Sequence, residues 1–316
     1  MSGAPRISVI LVTDHYRTIR RVLARLREQT ALGEIELVVV LPSHARDAEI
    51  ESTLTGFSGV TYVELETIHP IPRARAEGIR AASARVIFLG ETHSFPNREL
   101  AEALIAAHES DWDAVVPALT NANPESAWSW ASFLMDYGTW HETRPAGQIG
   151  GGPTWNVAYR KSLLMDVGDG LEAAMEHGDE LAVWLHARSA RAYFEPRAKL
   201  EHANVERFRE WMEQRFVAGI LVASSRKRRW SRAKCFAYVA GSPLIPAVIL
   251  YRLRSTVTAL LREGTLPMRA VPALVLGTIV RSAGEVVGYC RGAGPEHQPR
   301  MDEFEIHKLA FTSMTL

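Results

Sequence analysis

The chain has 316 residues, with 36 Lys+Arg against 36 Asp+Glu, 47% hydrophobic residues and 23% charged residues. That composition describes a globular protein with ample material for a core and excludes a disordered or fibrous chain. Zero net charge excludes the broad positive field on which nucleic-acid binders rely.

Two cysteines, Cys235 and Cys290, are too few for a disulfide framework or a cysteine zinc cluster, and they fit a reducing compartment. Arg6 precedes only seven mostly apolar residues, Ile7 to Thr13, before Asp14, His15 and Tyr16. Without a small-residue cleavage site this segment reads as a buried strand rather than an export signal, which predicts a cytoplasmic protein.

The first strand is the β-branched run 7–12. Ile19, Val22, Leu23 and Leu26 then recur at helical spacing among arginines, predicting an amphipathic helix over 19–29. A second strand over 35–41 stops at Pro42-Ser43. Helices over 45–54 and 72–82 alternate with strands over 60–65 and 85–89, and a helix over 96–108 precedes a strand over 114–118. Repeated β-α units predict an α/β fold with a doubly wound, mainly parallel sheet covered by helices on both faces. Ligands in such sheets sit beyond the C-terminal strand ends, here after Val12, Val40 and Leu89.

Residues 121–152 look irregular, with Trp128, Trp130 and Trp140 among polar residues. These tryptophans are either core anchors or a wall for a flat ligand. Gly150-Gly151-Gly152-Pro153 makes a turn into 154–159.

The last third changes character. Arg226, Lys227, Arg228, Arg229, Arg232 and Lys234 form a basic run ahead of the charge-free stretch 235–251, which Gly241, Pro243 and Pro246 interrupt. A second apolar stretch, 270–280, lies between Arg269 and Arg281. Both fall short of the ~20 residues that span a bilayer, so no ordinary spanning helix is expected. Basic flanks on broken apolar helices suit a segment lying in the inner-leaflet interface, and packing on the catalytic domain or another subunit is the competing reading. Residues 292–316, with Pro295 and Pro299, read as a loosely ordered tail.

Candidate chemistry lies in three places. The strand over 85–89 runs into Glu91-Thr92-His93, a carboxylate and an imidazole at i and i+2, which in an extended segment share one face. They are either two ligands for a divalent cation or part of a solvated loop. Asp179 and Glu180 open a helix, where the macrodipole favours negative charge. They are either helix-start residues or a general base. His202 ends the strand-turn segment 193–204 and is either structural or a ligand.

Taken in order, these segments resemble the inverting family 2 glycosyltransferases with the GT-A fold, over roughly residues 7–204. Ile7 to Thr13 is similar to the family's opening strand, Gln29-Thr30 to its first-helix ending and Glu36 to Val40 to its second strand. Arg73-Ala74-Arg75-Ala76-Glu77-Gly78 resembles the Ala-Arg-Asn-x-Gly helix. Ile87-Phe88-Leu89-Gly90-Glu91-Thr92-His93 stands where the family has its Phe-Leu-Asp-x-Asp, and Asp179-Glu180 where it carries its base. GPTWNVAYRK over 152–161 resembles the segment before the acceptor helix.

The sequence departs from the family at Leu41-Pro42-Ser43, which replace the nucleotide-binding acids, at Gly90 in the Asp-x-Asp position, and at Ala76. The resemblance implies a GT-A-like domain over 1–204; the basic run and apolar stretches add a helical region over 205–291, membrane-associated or packed on protein, and the tail over 292–316. It implies transfer from a nucleotide-sugar donor to a glycan or lipid-linked acceptor, with no nucleic-acid partner. Asp179 is the implied base and Glu180 its fallback. Thr13, Arg75 and Glu91 are expected on the donor, and Trp155 and Asn156 on the acceptor. Glu91, His93 and His202 are the expected ligands of Mn2+ or Mg2+. A degenerate scaffold of the same fold is the alternative. A nucleotidyltransferase fits less well, because no Gly-rich phosphate loop follows the first strand.

Overall fold

The computed structural model describes residues 4–314. In chain order the elements are β1 (Ile7–Val12), α1 (Tyr16–Arg27), β2 (Ile35–Pro42), α2 (Ala48–Ser52), β3 (Gly59–Leu65), α3 (Ile71–Ala81), β4 (Val86–Leu89), β5 (Ser94–Pro96), α4 (Leu100–His108), β6 (Ala114–Asn121), α5 (Ala127–Tyr137), β7 (Gly147–Ile149) and β8 (Ala158–Arg160). There follow α6 (Lys161–Met165), α7 (Leu171–Ala174), α8 (Glu180–Ala187), β9 (Ala192–His202), α9 (Phe208–Arg229), α10 (Arg232–Gly241), α11 (Ile245–Arg262), α12 (Ala270–Cys290) and α13 (His297–Ile306).

One nine-stranded sheet has the order β3-β2-β1-β4-β8-β6-β9-β5, with β7 also on β9. Its first four strands are parallel, as the β-α repeat requires. β8 then runs antiparallel between β4 and β6, while β9 lies parallel to β6. Alternation along β1 separates two apolar layers. Ile7, Val9 and Leu11 face a core shared with Ile19, Val22 and Leu26 of α1. Ile10 and Val12 face Ala74, Ala76 and Ile79 of α3.

The structure differs from the sequence reading in three places. Residues 127–137, expected to be irregular, form α5, started by Ser126, whose hydroxyl accepts from the Trp128 and Ser129 amides. Trp130 is buried in the core, which settles its role as an anchor. The three residues of β5 precede α4 and pair with the end of β9. The Glu195-Pro196 turn is instead a register shift inside one continuous strand, β9.

The C-terminal region corrects two expectations. Pro243 and Pro246 fall in the first turns of helical segments, where a missing N–H costs nothing, so they start helices rather than break them. Residues 232–262 and 270–290 are consequently long and apolar enough to cross a membrane. α12 packs instead along α9. At Gly219, Gly284 and Gly288 the two backbones approach so closely that a Cβ would meet the opposing chain. α10 and α11 stay mostly exposed, with Phe236 at 74%, Leu244 at 67% and Tyr251 at 65% accessibility.

The tail, too, departs from its expected looseness. Met301, Phe304 and Ile306 of α13 are buried among the two cores and hold the segment against the strand ends.

Candidate active site

The sheet itself assembles the site. β4 ends at Leu89, and Gly90 follows with its amide bonded to the Ile10 carbonyl. A Cβ at Gly90 would stand 2.8 Å from Leu11 Cδ2 and 3.2 Å from the Ile10 oxygen, so no acid fits there. Glu91 is therefore the first carboxylate beyond the strand. Pairing of Ser94 with His202 across β5 and β9, and the Ala203 amide bonded to the His93 carbonyl at 3.0 Å, place the two histidines together.

Glu91 Oε2, His93 Nε2 and His202 Nε2 converge. The two imidazole nitrogens are 3.2 Å apart, and each lies 3.4 Å from the carboxylate oxygen. All three residues are at most 5% exposed. The expected triad forms, and its donor set suits a divalent cation.

The surroundings orient each group. Asn156 Nδ2, Ser94 Oγ and Tyr137 Oη donate to the Glu91 carboxylate, at 2.6, 3.0 and 3.3 Å. Burial opposes ionisation of Glu91. The flanking imidazoles and the Lys308 ammonium outweigh it and hold the carboxyl well below its usual range. Burial, reinforced by Lys308, pushes the His93 pKa well below its usual value, against the pull of Glu91.

The hydrogen-bond network also fixes the tautomers. Thr92 Oγ1 spends its single proton on the Ile306 carbonyl at 2.9 Å, so it accepts from His93 Nδ1–H at 3.2 Å. Asn204 uses its Nδ2 on Asn121 Oδ1 and the His202 carbonyl, leaving Oδ1 to accept from His202 Nδ1–H at 2.8 Å. Both Nδ1 atoms are thus anchored, and both Nε2 atoms point toward the Glu91 carboxylate.

Four further residues converge here that sequence reasoning missed. Tyr137 arrives on α5. Glu305 Oε2 lies 4.0 Å from His93 Nε2, and Glu305 Oε1 accepts from Lys308 Nζ at 3.2 Å. His177 Nε2 stands 3.8 Å from Glu305 Oε1. α13 thereby closes over the site. His307 pairs with Asp14 at 3.4 Å, and Asp302 Oδ2 accepts from the Ile71 amide at 3.4 Å. The buried spacing of Met301, Phe304 and Ile306 was the one signal in the sequence that this tail docks.

The remaining expected site residues fall as follows. Thr13 follows β1, but its hydroxyl donates to the His15 carbonyl at 2.8 Å and is committed to the turn. The Arg75 guanidinium is buried and stacks on Trp155 at 3.5 Å. Burial lowers its pKa, while Glu305, Glu91 and Asp302 pull the other way.

Of the two residues expected on the acceptor, Asn156 is fully buried on Glu91 and Trp155 lies under Arg75. Asp179 and Glu180 turn toward α9 instead of the triad. Asp179 pairs with Arg226 at 3.2 Å and with Arg229, and Glu180 pairs with Arg228 at 2.6 Å. Much of the basic run is thus spent on ion pairs within the fold.

A mixed α/β sheet with its parallel half at the core, and a cluster of polar groups beyond β4, define a GT-A-like protein. The Glycosyl transferase family 2 model matches residues 8–168, just over half of the chain, and the chain belongs to that family. No curated protein matches it significantly. Among solved structures it is similar to GalNAc-T7 with UDP, GalNAc and Mn2+, at 14% identity and a TM-score of 0.49, over 63% of this chain and 43% of that one. It is also similar to S. aureus TarS 1–349 in complex with UDP, at 17% identity and a TM-score of 0.46, over 92% and 93% of the two chains. A further S. aureus TarS structure aligns at 16% identity and a TM-score of 0.45, over 95% and 55%. The chain thus spans less than half the length of the GalNAc-T7 chain.

Proposed function

We propose that this protein transfers a sugar, with inversion, from a nucleotide-sugar donor to a hydroxyl of a lipid-linked acceptor at the inner-leaflet surface. The observation that carries the reading is the convergence of Glu91, His93 and His202 at the C-terminal end of β4, where open α/β sheets bind ligands. A divalent cation held by these three residues would supply positive charge to the leaving diphosphate.

The protein's own groups do the rest. Arg75, fixed on Trp155 and surrounded by carboxylates, is positioned to meet the donor diphosphate. Thr13 shapes the end of β1. The acceptor hydroxyl gives its proton to His177 Nε2 as its oxygen bonds the anomeric carbon and the bond to the diphosphate breaks toward oxygen. His177 is preferred to Asp179 because burial keeps its imidazole neutral, against Glu305, and because it adjoins the triad through that residue. Asp179 is engaged by two guanidinium groups, and Glu180 by one.

An acceptor has a suitable cleft. A cavity of about 590 Å³ lies between α10–α11 and the body, walled by Leu244, Ile245 and Val248, with Arg226, Arg252 and Asp179 at its polar side. Apolar walls with cationic groups suit a lipid carrying an anionic head. The exposed Phe236, Leu244 and Tyr251 would rest in the interface, and residues 205–291 act as the membrane-associated region.

Calorimetry with UDP-, GDP- and dTDP-sugars, with and without added divalent cation, tests the donor. Binding of one of them supports transfer. A folded protein that binds none supports instead a scaffold of the same fold, a reading that the replaced acids at 41–43 and the closed α13 favour.

A further inference from the structure

We infer that the cation held by Glu91, His93 and His202 is a tetrahedral, zinc-class ion rather than an octahedral magnesium- or manganese-type ion. The inference shares the cation site with the proposed function but does not depend on sugar transfer.

The hydrogen-bond network makes the first argument. Thr92 Oγ1 and Asn204 Oδ1 hold Nδ1 of the two histidines, so both Nε2 atoms and the Glu91 carboxylate oxygen face one another across one small space. These donor atoms, separated by 3.2, 3.4 and 3.4 Å, enclose one point that a cation can occupy. A histidine ligand whose other nitrogen donates to a fixed acceptor is also the usual arrangement around zinc.

The spacing makes the second. Bonds of about 2.0–2.1 Å in a tetrahedron set neighbouring donors about 3.3–3.4 Å apart. The same bond lengths in an octahedron bring adjacent donors to about 2.8–3.0 Å. The observed separations follow the tetrahedron rather than a magnesium octahedron.

Ligand chemistry makes the third. Two imidazoles and one glutamate are a zinc-type set, whereas magnesium prefers oxygen donors and keeps several of its waters. At most 5% exposure, under α13, leaves the triad a dry environment that does not suit a hydrated ion. The Glu305 carboxylate, 4.0 Å from His93 Nε2 and paired with Lys308 Nζ at 3.2 Å, closes the α13 side of the centre.

Thr92 links the centre to the C-terminal helix. Its hydroxyl accepts from His93 Nδ1–H and donates to the Ile306 carbonyl at the end of α13. Cation binding and docking of α13 therefore favour one another.

Cobalt(II) titration of the full chain, read by visible absorption, tests the inference without any sugar present. The expected result is intense bands of a tetrahedral ion, displaced by zinc but not by excess magnesium or manganese. Glu91→Gln, which keeps the size and can still meet its hydrogen-bonding neighbours, should lower zinc affinity at least tenfold while remaining folded by circular dichroism. Thr92→Val and Asn204→Ala should each lower it about 10–100-fold, and zinc should slow amide exchange over 297–306. A weak six-coordinate cobalt spectrum, no cobalt binding, or zinc affinity unchanged in folded Glu91→Gln would overturn it.

Discussion

The triad beyond β4 and the acidic corner at Asp179 and Glu180 carry the same kinds of side chain, but they are built for different ends. At the triad a carboxylate and two imidazoles face one another in a dry space, oriented by Asn156, Tyr137, Thr92 and Asn204. At the corner the carboxylates face Arg226, Arg228 and Arg229, and each charge is met by an opposite one. Like charges and lone pairs brought together under burial mark a site that needs a further partner. Opposite charges brought together mark a joint between elements. Environment, rather than the presence of an acid near a helix start, separates chemistry from assembly.

Exchanging the two candidate bases should break the comparison most sharply. His177→Gln should lower transfer about 10²–10⁴-fold with unchanged donor affinity, whereas Asp179→Asn should leave the rate within about threefold of the parent. The reverse pattern, read by release of nucleoside diphosphate, would move the base to the corner.

The joint between α9 and α12 should show its own weakness. Gly284→Leu places a side chain against the Phe216 carbonyl and should cost about 3 kcal/mol or more, seen as a lower denaturant midpoint.

Acid offers a third test. Burial pushes the His108 pKa down to about 4, below the ~6.5 of an unfolded chain. For a depressed pKa, the stability is fully present above about pH 6.5 and is lost as pH falls toward 4, by about 3 kcal/mol. Replacing His108 with Gln should flatten that part of the pH profile, and an unchanged slope would assign the acid sensitivity elsewhere.

A smaller effect is expected at the exposed helices. Leu244→Asp should reduce cosedimentation with anionic vesicles severalfold and leave the melting temperature within about 1 °C, since the side chain is 67% exposed. Equal pelleting of both proteins would remove α10–α11 from the interface.

How much of this could be read from the sequence depended on contrast. β1, α1 and β2 were legible because β-branched runs and the 3.6-residue spacing of Ile19, Val22, Leu23 and Leu26 stand out against polar neighbours. α5 gave no such contrast, because AWSWASFLMDY is apolar on nearly all sides and its seven buried residues leave no polar stripe. β5 is three residues long, below any periodicity, yet it is the strand that carries His93 to His202.

Glu91 and His93 could be found from their place after β4. His202 needed the family's order of segments. His177, Tyr137 and the pair Glu305 and Lys308 come from three separate stretches, and only tertiary packing brings them together. The tail was misread because Pro295, Pro299 and its charges hid three anchors, Met301, Phe304 and Ile306.

Release of nucleoside diphosphate from a panel of nucleotide sugars, by the parent protein and by Glu91→Gln at matched folding, tests the central claim most directly. The triad as the centre of sugar transfer predicts turnover by the parent and a loss of about 10³-fold in the variant. Equal turnover by both proteins would place the chemistry elsewhere in the fold, and no turnover by the parent with any donor would end the case for an active transferase.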